Sequence, residues 1–431
     1  MRPPSRRDLL SRVLGPAIGL GALGALGAAR RPALARADGD GVAGHQRRFL
    51  FVYANGGWDP LHLFAPLYDV TGAYCDPTGT AAEVGGLTFI DSGNRPSVRA
   101  FFEAHAHRAC TLNGFEVRSI AHDNCRRLLM TGTTSVTADD WGAILAAEAD
   151  DAPPAPYLVV TGPSFAAARA QGVVRAGSAG QLGALLDGST LDGLIAERRT
   201  PWGSEAAAAV DAVVAARVAR RLAASPDAWA ASYATSVDDL ARLHAAAATT
   251  SFVAGPTFAE QASVALDALA TGASRCALVT HNGVQDLTWD SHGVIRKQSD
   301  HFEDLFAALG ALLTEMESRV GVLGVPLIEE ICVVVVSEMG RTPYLNELGG
   351  KDHWTYTSAM LVGSGVAGGR SIGGYDDRVT GLPVDLLTGE STQTGTPLLA
   401  AHLGATLLAL ADIDPAEHVQ GVEPVRAMIA E

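Results

Sequence analysis

The stretch Ile331-Cys332-Val333-Val334-Val335-Val336-Ser337, followed directly by Glu338-Met339-Gly340-Arg341, decides the fold of this chain. Six consecutive apolar residues without polar alternation are typical of a strand that is buried on both faces of a parallel sheet. Similar short apolar runs recur at wide spacing, at residues 49–54, 109–113, 157–161 and 276–280. We therefore predict that these segments are strands of one sheet.

Segments with helical periodicity lie between the predicted strands, at residues 97–106, 124–130, 302–317 and 397–411. Strands that alternate with helices predict an α/β fold with a doubly wound, mostly parallel sheet. The Ala-rich segment 204–250, with a break at Ser225-Pro226-Asp227, predicts a helical insertion. We expect residues 38–431 to form a single domain that carries this insertion.

The first 37 residues have the pattern of an export signal. Arg6 and Arg7 precede an uncharged run at 13–29, and a small-residue cleavage pattern follows at Ala33-Leu34-Ala35-Arg36-Ala37. Adjacent arginines predict export by the twin-arginine machinery, and hence a periplasmic or otherwise exported protein. The run contains Pro16 and falls short of the ~20 residues that a spanning helix needs, so we expect no stable membrane span in the mature form.

Charge and cysteine content exclude several classes of function. The formal net charge is −15, whereas affinity for nucleic acid or anionic lipid requires a basic surface. We therefore expect no nucleic-acid partner. The five cysteines form no C-x-x-C pair, so a zinc ribbon is not indicated.

Carboxylates and imidazoles concentrate in four short segments at or after the ends of predicted strands. These segments are Asn55-Gly56-Gly57-Trp58-Asp59, Trp289-Asp290-Ser291-His292, Ser337-Glu338-Met339-Gly340-Arg341 and Lys351-Asp352-His353-Trp354. Open α/β sheets place their sites at the carboxyl ends of the strands. A divalent ion such as Zn, Mn or Ca needs several O and N ligands of these kinds at one point.

Each segment also has an ordinary structural interpretation. Asp59 precedes Pro60 and suits a helix cap, Asp290 with His292 suits a surface hydrogen bond, and Asp352 with His353 suits a solvated loop. The same residue types at four comparable strand ends favour a common site. The sequence therefore predicts a metal site at this edge of the sheet.

These motifs, in this order and after a twin-arginine leader, resemble the exported domain-of-unknown-function family numbered fifteen-oh-one. Ser337-Glu338-Met339-Gly340-Arg341-Thr342-Pro343 is the most specific of them, and the resemblance spans nearly all of the chain after the leader. That family is related to alkaline phosphatases and sulfatases. The resemblance implies an alkaline-phosphatase-like fold and one or two metals that activate a nucleophile toward phosphate or sulfate esters.

The resemblance also implies roles for individual residues. Asp59, Asp290, His292, Glu338 and His353 would ligate metal, with Asp352 either a further ligand or the residue that orients His353. Met339 stands where an imidazole is expected, so one ion is expected rather than two. Arg341 would clamp a bound oxyanion.

The segment from His122 to Gly132 resembles the sulfatase signature, with Arg126 in register and His122 at the nucleophile position. His122 could ligate metal, attack as an imidazole or mark lost catalysis, whereas a capping role on a helix is the structural alternative. Arg126 could assist at an anion.

Three functions remain open from the sequence. The first is an exported metal-dependent hydrolase of phosphate, sulfate or related esters, with an anionic small-molecule or polymer ester as substrate. The second is a metal-binding protein that has lost catalysis and acts as a binding or accessory protein. The third is an exported carbohydrate- or polymer-binding protein that has no metal and stacks ligands on its tryptophans.

Overall fold

The computed structural model describes residues 41–149, 151–177, 180–186, 204–224, 228–248, 251–285 and 287–430. The export signal predicted at residues 1–37 lies outside these ranges, and so does the predicted break at residues 225–227. Among the described helices, none combines the length and the apolar character needed to cross a membrane.

The described part of the chain contains an eight-stranded sheet with the order β12-β4-β11-β8-β1-β7-β5-β6. All neighbours pair in parallel except β11, which is antiparallel to both β8 and β4. Two short two-stranded sheets, β2 with β3 and β9 with β10, accompany it. The strands are β1 (Arg48–Ala54), β2 (Gly79–Val84), β3 (Leu87–Ser92), β4 (Ala109–Glu116), β5 (Tyr157–Val159), β6 (Val173–Arg175), β7 (Cys276–His281), β8 (Ile331–Ser337), β9 (Gly340–Arg341), β10 (His353–Trp354), β11 (Tyr356–Gly363) and β12 (Arg370–Gly373).

Ten α-helices lie within the described residues. They are α1 (Pro96–His105), α2 (His122–Thr131), α3 (Trp141–Ala147), α4 (Gln181–Leu186), α5 (Ser204–Ala224), α6 (Ala228–Ala247), α7 (Phe258–Ala270), α8 (Lys297–Ser318), α9 (Leu327–Glu330) and α10 (Ala400–Leu410). The four helices expected from periodicity correspond to α1, α2, α8 and α10.

Both faces of the sheet are covered, which confirms the doubly wound α/β class. Along β1, Leu50 and Val52 belong to one apolar cluster while Phe49 and Phe51 belong to another. The first cluster receives side chains from α1, α7 and α8, and the second from α2, α3 and α10. Every residue of β1 and β8 is buried, as their uninterrupted apolar sequences predict.

Five of the eight strands of the main sheet were expected from the sequence, and β6, β11 and β12 were not. The strand β11 separates β8 from β4. Its sequence begins Tyr356-Thr357-Ser358, so polar residues obscure the apolar run that follows. Because β11 runs against its neighbours, the sheet is mixed and mostly parallel.

The chain divides into two compact units. One comprises residues 41–207 and 238–431, and its described part contains the sheet. The other contains, among the described residues, 208–224 and 228–237, which belong to the helices α5 and α6 of the Ala-rich segment. The single-domain organisation of residues 38–431 stays a prediction.

Candidate metal centre

Three parallel strands end side by side at the edge of the sheet where the sequence predicts a site. In the register of the sheet, Ala54 at the end of β1 lies opposite His281 of β7 and Ser337 of β8. The loops that follow these strands therefore start within a few ångströms of one another. This places the segments with Asp59, Asp290 and Glu338 at one edge, as expected for open α/β sheets.

Glu338 is fully buried at this edge, and backbone amides hold its carboxylate. The N–H of Gly56 donates to both carboxylate oxygens, at 2.9 and 3.1 Å, and that of Gly57 donates to Oε2 at 3.2 Å. Both glycines have positive φ, at 127° and 83°. A Cβ on Gly56 would lie 2.7 Å from the backbone nitrogen of Asp290, so only glycine fits there.

Burial alone would raise the pKa of Glu338, but the hydrogen bonds from His122 and the Gly56 amide outweigh it and lower the pKa. Glu338 is therefore a carboxylate in the folded protein. It is placed to accept hydrogen bonds rather than to donate a proton.

His122 is the first residue of α2 and joins Glu338 to Asp290. Its Nδ1 lies 2.9 Å from Glu338 Oε1, and its Nε2 lies 3.6 Å from Asp290 Oδ2. Contacts with Asp290 and then Glu338 raise the pKa of His122 to about 9. The predicted capping role is not seen, because the first turn of α2 has no side-chain cap and the His122 imidazole points to two carboxylates.

His292 and His353 complete the cluster. His292 Nδ1 lies 3.0 Å from Asp352 Oδ1, and His353 Nδ1 donates to the carbonyl oxygen of Ile120 at 2.6 Å. The Nε2 atoms of the two rings are 2.9 Å apart. Asp352 thus orients His292, whereas the sequence analysis assigned it to His353 or to the metal.

Asp290 lies where the three imidazoles meet. Its Oδ1 is 3.2 Å from His292 Nε2, 3.5 Å from His353 Nε2 and 2.8 Å from Arg341 Nη2. That oxygen is buried and accepts no well-aligned hydrogen bond from any described residue. Burial raises the pKa of Asp290, but contacts with His122, His353 and Arg341 lower it far below its ordinary value.

The donor atoms of this cluster fit a metal ion. His122, Asp290 and His353 each offer one ligand atom, and these atoms all lie within 4.8 Å of one another. Nδ1 of each ring faces a carboxylate or carbonyl acceptor, so a neutral ring would keep its proton on Nδ1 and direct the Nε2 lone pair toward a metal ion. A cation between them would satisfy the unmatched Asp290 Oδ1 and relieve the close approach of the two Nε2 atoms.

Asp59 lies in a separate ion pair next to the cluster. Its carboxylate is fully buried, with Oδ2 2.7 Å from Lys351 Nζ and 2.8 Å from His62 Nδ1. Oδ1 accepts from the Leu61 amide and so caps a 3₁₀ turn, which was the structural alternative. Burial acts against ionisation, but Lys351 and His62 lower the pKa of Asp59. The structure does not bring Asp59 into the histidine cluster, and its role as a ligand stays a prediction.

Arg341 is fully buried and holds the strand-end loops together. Its Nε donates to the carbonyl of Gly57 at 2.9 Å, its Nη1 donates to that of Lys351, and its Nη2 donates to that of Gly56. Its guanidinium is thus engaged within the protein as well as with Asp290. The predicted clamp on an oxyanion is not tested by these contacts.

Arg126 lies on the solvent-facing side of the same region. Its Nε donates to the Tyr53 hydroxyl at 3.2 Å, and its Nη2 donates to Asn55 Oδ1 at 3.0 Å. Nε is also 3.8 Å from Glu338 Oε1. With 28% of its side chain exposed, it is better placed than Arg341 to meet an incoming anion.

Two residues of the site had no functional role in the sequence analysis. Lys351 was quoted in its motif but not recognised as the partner of Asp59, because the two are 292 residues apart. Gln298, in the first turn of α8, donates to the Trp289 carbonyl and the Ser291 hydroxyl and accepts from the Asp59 amide. A buried glutamine inside a helix has no sequence signal that would identify it.

Met339 and two of the motif tryptophans, Trp58 and Trp289, are packing residues here. Met339 is fully buried in the second apolar cluster. Trp58 and Trp289 are also fully buried, with ring centroids 6.4 Å apart, and Trp289 Nε1 donates to His281 Nδ1 at 2.9 Å. Trp289 therefore fixes the loop that carries Asp290, and neither ring offers an exposed stacking surface.

Comparison with solved structures found distant similarities. The integral membrane protein lipooligosaccharide phosphoethanolamine transferase A (EptA) from Neisseria meningitidis aligns with 89% of this chain at 10% identity and a TM-score of 0.39. Ps i-CgsB in complex with k-i-k-neocarrahexaose aligns with 87% of it at 9% identity and a TM-score of 0.37. The chain spans 58% of the length of the first protein and 75% of the second.

A search of curated proteins found no match. Among protein families, the model described as "Protein of unknown function (DUF1501)" matches residues 46–421, which include the whole eight-stranded sheet and every residue of the cluster. The match confirms the family resemblance carried by the strand-end motifs, and the chain belongs to the DUF1501 family.

Proposed function

We propose that this chain is an exported metal-dependent hydrolase of phosphate, sulfate or related esters. The observation that carries the proposal is the convergence of three imidazole Nε2 atoms on Asp290, with the Nδ1 atom of each ring facing an acceptor. The ester class rests on the resemblance of the strand-end motifs to alkaline phosphatases and sulfatases.

The ligand set favours zinc among the ions expected from the sequence. His122, His353 and Asp290 would hold the ion, with His292 as a neighbouring fourth donor. Imidazole suits zinc, whereas calcium takes six to eight oxygen ligands. A single group of this kind is found among the described residues, and we propose one ion rather than two.

Residues around the ion would orient its imidazole ligands and bind the anion. Glu338, Asp352 and the Ile120 carbonyl accept from Nδ1 atoms, which leaves Nε2 of each ring free toward the ion. When bound, a divalent ion supplies Lewis-acid polarisation and lowers the pKa of water. Arg126 would bind an oxygen of the anion from the solvent side.

The position of His122 favours water as the nucleophile. The sulfatase-like motif places it where that signature has a nucleophile, but its imidazole lies between Glu338 and Asp290 in the ligand cluster. We therefore assign His122 to metal binding and propose that water is the nucleophile. The Asp290 side chain is 36% exposed, so water can reach the cluster.

The test is hydrolysis by the full mature chain loaded with zinc. We expect turnover of at least one ester from a panel of p-nitrophenyl phosphate, bis-p-nitrophenyl phosphate and p-nitrophenyl sulfate. His353→Ala should abolish this turnover, whereas the exposed histidine variant His107→Ala should retain it. Turnover of the panel that is unchanged in His353→Ala would overturn the proposal.

A second function is favoured by one observation. The nucleophile position holds a histidine that points into the cluster, and no hydroxyl or thiol belongs to the ligand group found in the described residues. A metal-binding protein without hydrolytic activity, acting as a binding or accessory protein, would have this arrangement. Stable zinc retention without turnover of any ester would support it.

A further inference from the structure

A cavity of about 250 Å³ lies beside the histidine cluster. It is lined by Asn55, Arg126, Gly162, Pro163, Thr280 and Asn282. Its walls therefore come from the ends of β1 and β7, from the loop after β5 and from α2. About eight water molecules would occupy this volume in the liquid, so the cavity has room for a group the size of one small ring.

The cavity shares a wall with the cluster. Arg126 Nε is 3.8 Å from Glu338 Oε1, the same oxygen that lies 2.9 Å from His122 Nδ1. Asn55 directly precedes Gly56, whose amide donates to that carboxylate. A molecule whose anionic group lies at the cluster can therefore extend its other end along Arg126 into the cavity.

The lining offers hydrogen-bond donors and one positive charge. Arg126 is the only ionisable group among the six lining residues, and the carboxylates nearest to its guanidinium, those of Asp123 and Glu338, are not part of the lining. A guanidinium has five N–H groups, and those of Arg126 reach Tyr53, Asp123 and Asn55. Each of its two Nη atoms therefore keeps one hydrogen beyond its bond to a described residue.

The two amides add further donors. Asn55 Nδ2 donates to Asn282 Oδ1 at 2.9 Å, which orients the Asn282 side chain with its NH₂ group away from Asn55. That NH₂ group donates to no described residue, and Asn282 is one of the residues that line the cavity. An apolar group placed here would leave these donors unsatisfied.

We propose that this cavity binds the organic part of the substrate, and that this part is a hydroxyl-rich, negatively charged group of about the size of one sugar ring. The proposal rests on the proposed ester hydrolysis for the position of the other end of the substrate. Two side chains would recognise this group. The Arg126 guanidinium would bind a carboxylate or similar anion, and the Asn282 amide would bind a hydroxyl.

The experiment is calorimetric titration of the full mature chain, loaded with zinc, with four probes. Glucose 6-phosphate and glucuronate carry the hydroxyl groups of a sugar ring, whereas phenyl phosphate and inorganic phosphate have no sugar hydroxyls. We expect glucose 6-phosphate to bind at least about tenfold more tightly than phenyl phosphate or inorganic phosphate. We also expect measurable binding of glucuronate, which has no phosphate for the metal site.

Asn282 supplies the decisive variants. Asn282→Ala should weaken glucose 6-phosphate and glucuronate about tenfold, the loss expected for a hydrogen bond to a charged or strongly polar ligand, and leave inorganic phosphate within twofold. Asn282→Asp keeps the shape but adds a negative charge, and should weaken glucuronate further. The matched control Asn94→Ala removes an exposed amide bonded only to Thr78 and should change none of the affinities.

Two results would overturn the proposal. One is phenyl phosphate bound as tightly as glucose 6-phosphate. The other is an Asn282→Ala variant that weakens inorganic phosphate as much as the sugar probes. Failure of the proposed hydrolase is distinguishable, because it would appear as absent zinc or absent phosphate binding while the glucuronate titration still reports on the cavity.

Discussion

The Nε2 atoms of His292 and His353 lie 2.9 Å apart although the Nδ1 atom of each ring already faces an oxygen acceptor, Asp352 for one and the Ile120 carbonyl for the other. Two neutral imidazoles held in this way would direct lone pairs at each other. A cation between the two Nε2 atoms would remove this repulsion. This relationship leads to the first prediction.

Loss of a cluster imidazole should remove the metal. Purified mature protein should retain a divalent ion through gel filtration, and His353→Ala or His292→Ala should lower the metal content at least about tenfold, because even orienting residues contribute that much. Elemental analysis of the eluted protein measures the effect. His107→Ala, which changes an exposed histidine, is the control, and full occupancy in both cluster variants would contradict the assignment.

Glu338 should act through His122. Glu338→Gln keeps the size of the side chain but removes the charge that holds the His122 Nδ1 proton, so zinc affinity should fall about 10- to 100-fold. Competition with a chromophoric chelator gives the affinity. Glu103→Gln, at an exposed residue of α1, should have no effect. An unchanged affinity in Glu338→Gln would show that the hydrogen bond to His122 does not matter for binding.

The metal-free protein should lose stability as the pH rises. A pKa of His122 raised to about 9 means that folding favours the protonated imidazole, so its stabilisation is complete below pH ~6.5 and disappears as the pH passes about 9. The effect is up to about 3 kcal/mol after allowance for solvent screening at its partly exposed edge. Urea unfolding from pH 6 to 9.5 should show it in the parent and not in His122→Gln. Parallel pH profiles for the two proteins would contradict it.

The buried pair of Asp59 and Lys351 should contribute to the stability of the fold and have little effect on metal binding. Lys351→Met leaves a buried carboxylate without its ammonium partner and should cost about 3–5 kcal/mol of unfolding free energy. Asp59→Asn together with Lys351→Met should recover part of that loss. Metal content should stay within twofold in Asp59→Asn, and a tenfold loss there would instead establish Asp59 as a ligand, as the sequence predicts.

The predicted export signal lies outside the described ranges. If the twin-arginine machinery reads Arg6 and Arg7, replacement of both by lysine should leave unprocessed protein in the cytoplasm. Immunoblots of cell fractions would detect the larger precursor, with Arg12→Lys as the control. Normal processing of the double variant would remove the pathway assignment, and sequencing of the mature N-terminus tests cleavage near Asp38.

The sequence by itself determined five of the eight strands of the main sheet and the edge that carries the site. Runs such as 331–337 are buried on both faces because apolar residues at every position leave no face for water. The carboxyl ends of parallel strands share an edge, so Asp290 and Glu338 were expected there together. These inferences succeed because strand character and strand direction are encoded over a few neighbouring residues.

Only the tertiary structure decided which ionisable groups meet. The sequence could not distinguish Asp59, which pairs with Lys351, from Asp290, which lies among the imidazoles. Nor could it show that Arg341 is buried against backbone carbonyls while Arg126 faces solvent. The partners of each charge are more than 200 residues away in several cases, and their choice depends on how the loops pack. Local sequence carries the type of each side chain, whereas burial and the approach of distant loops set its charge state and its role.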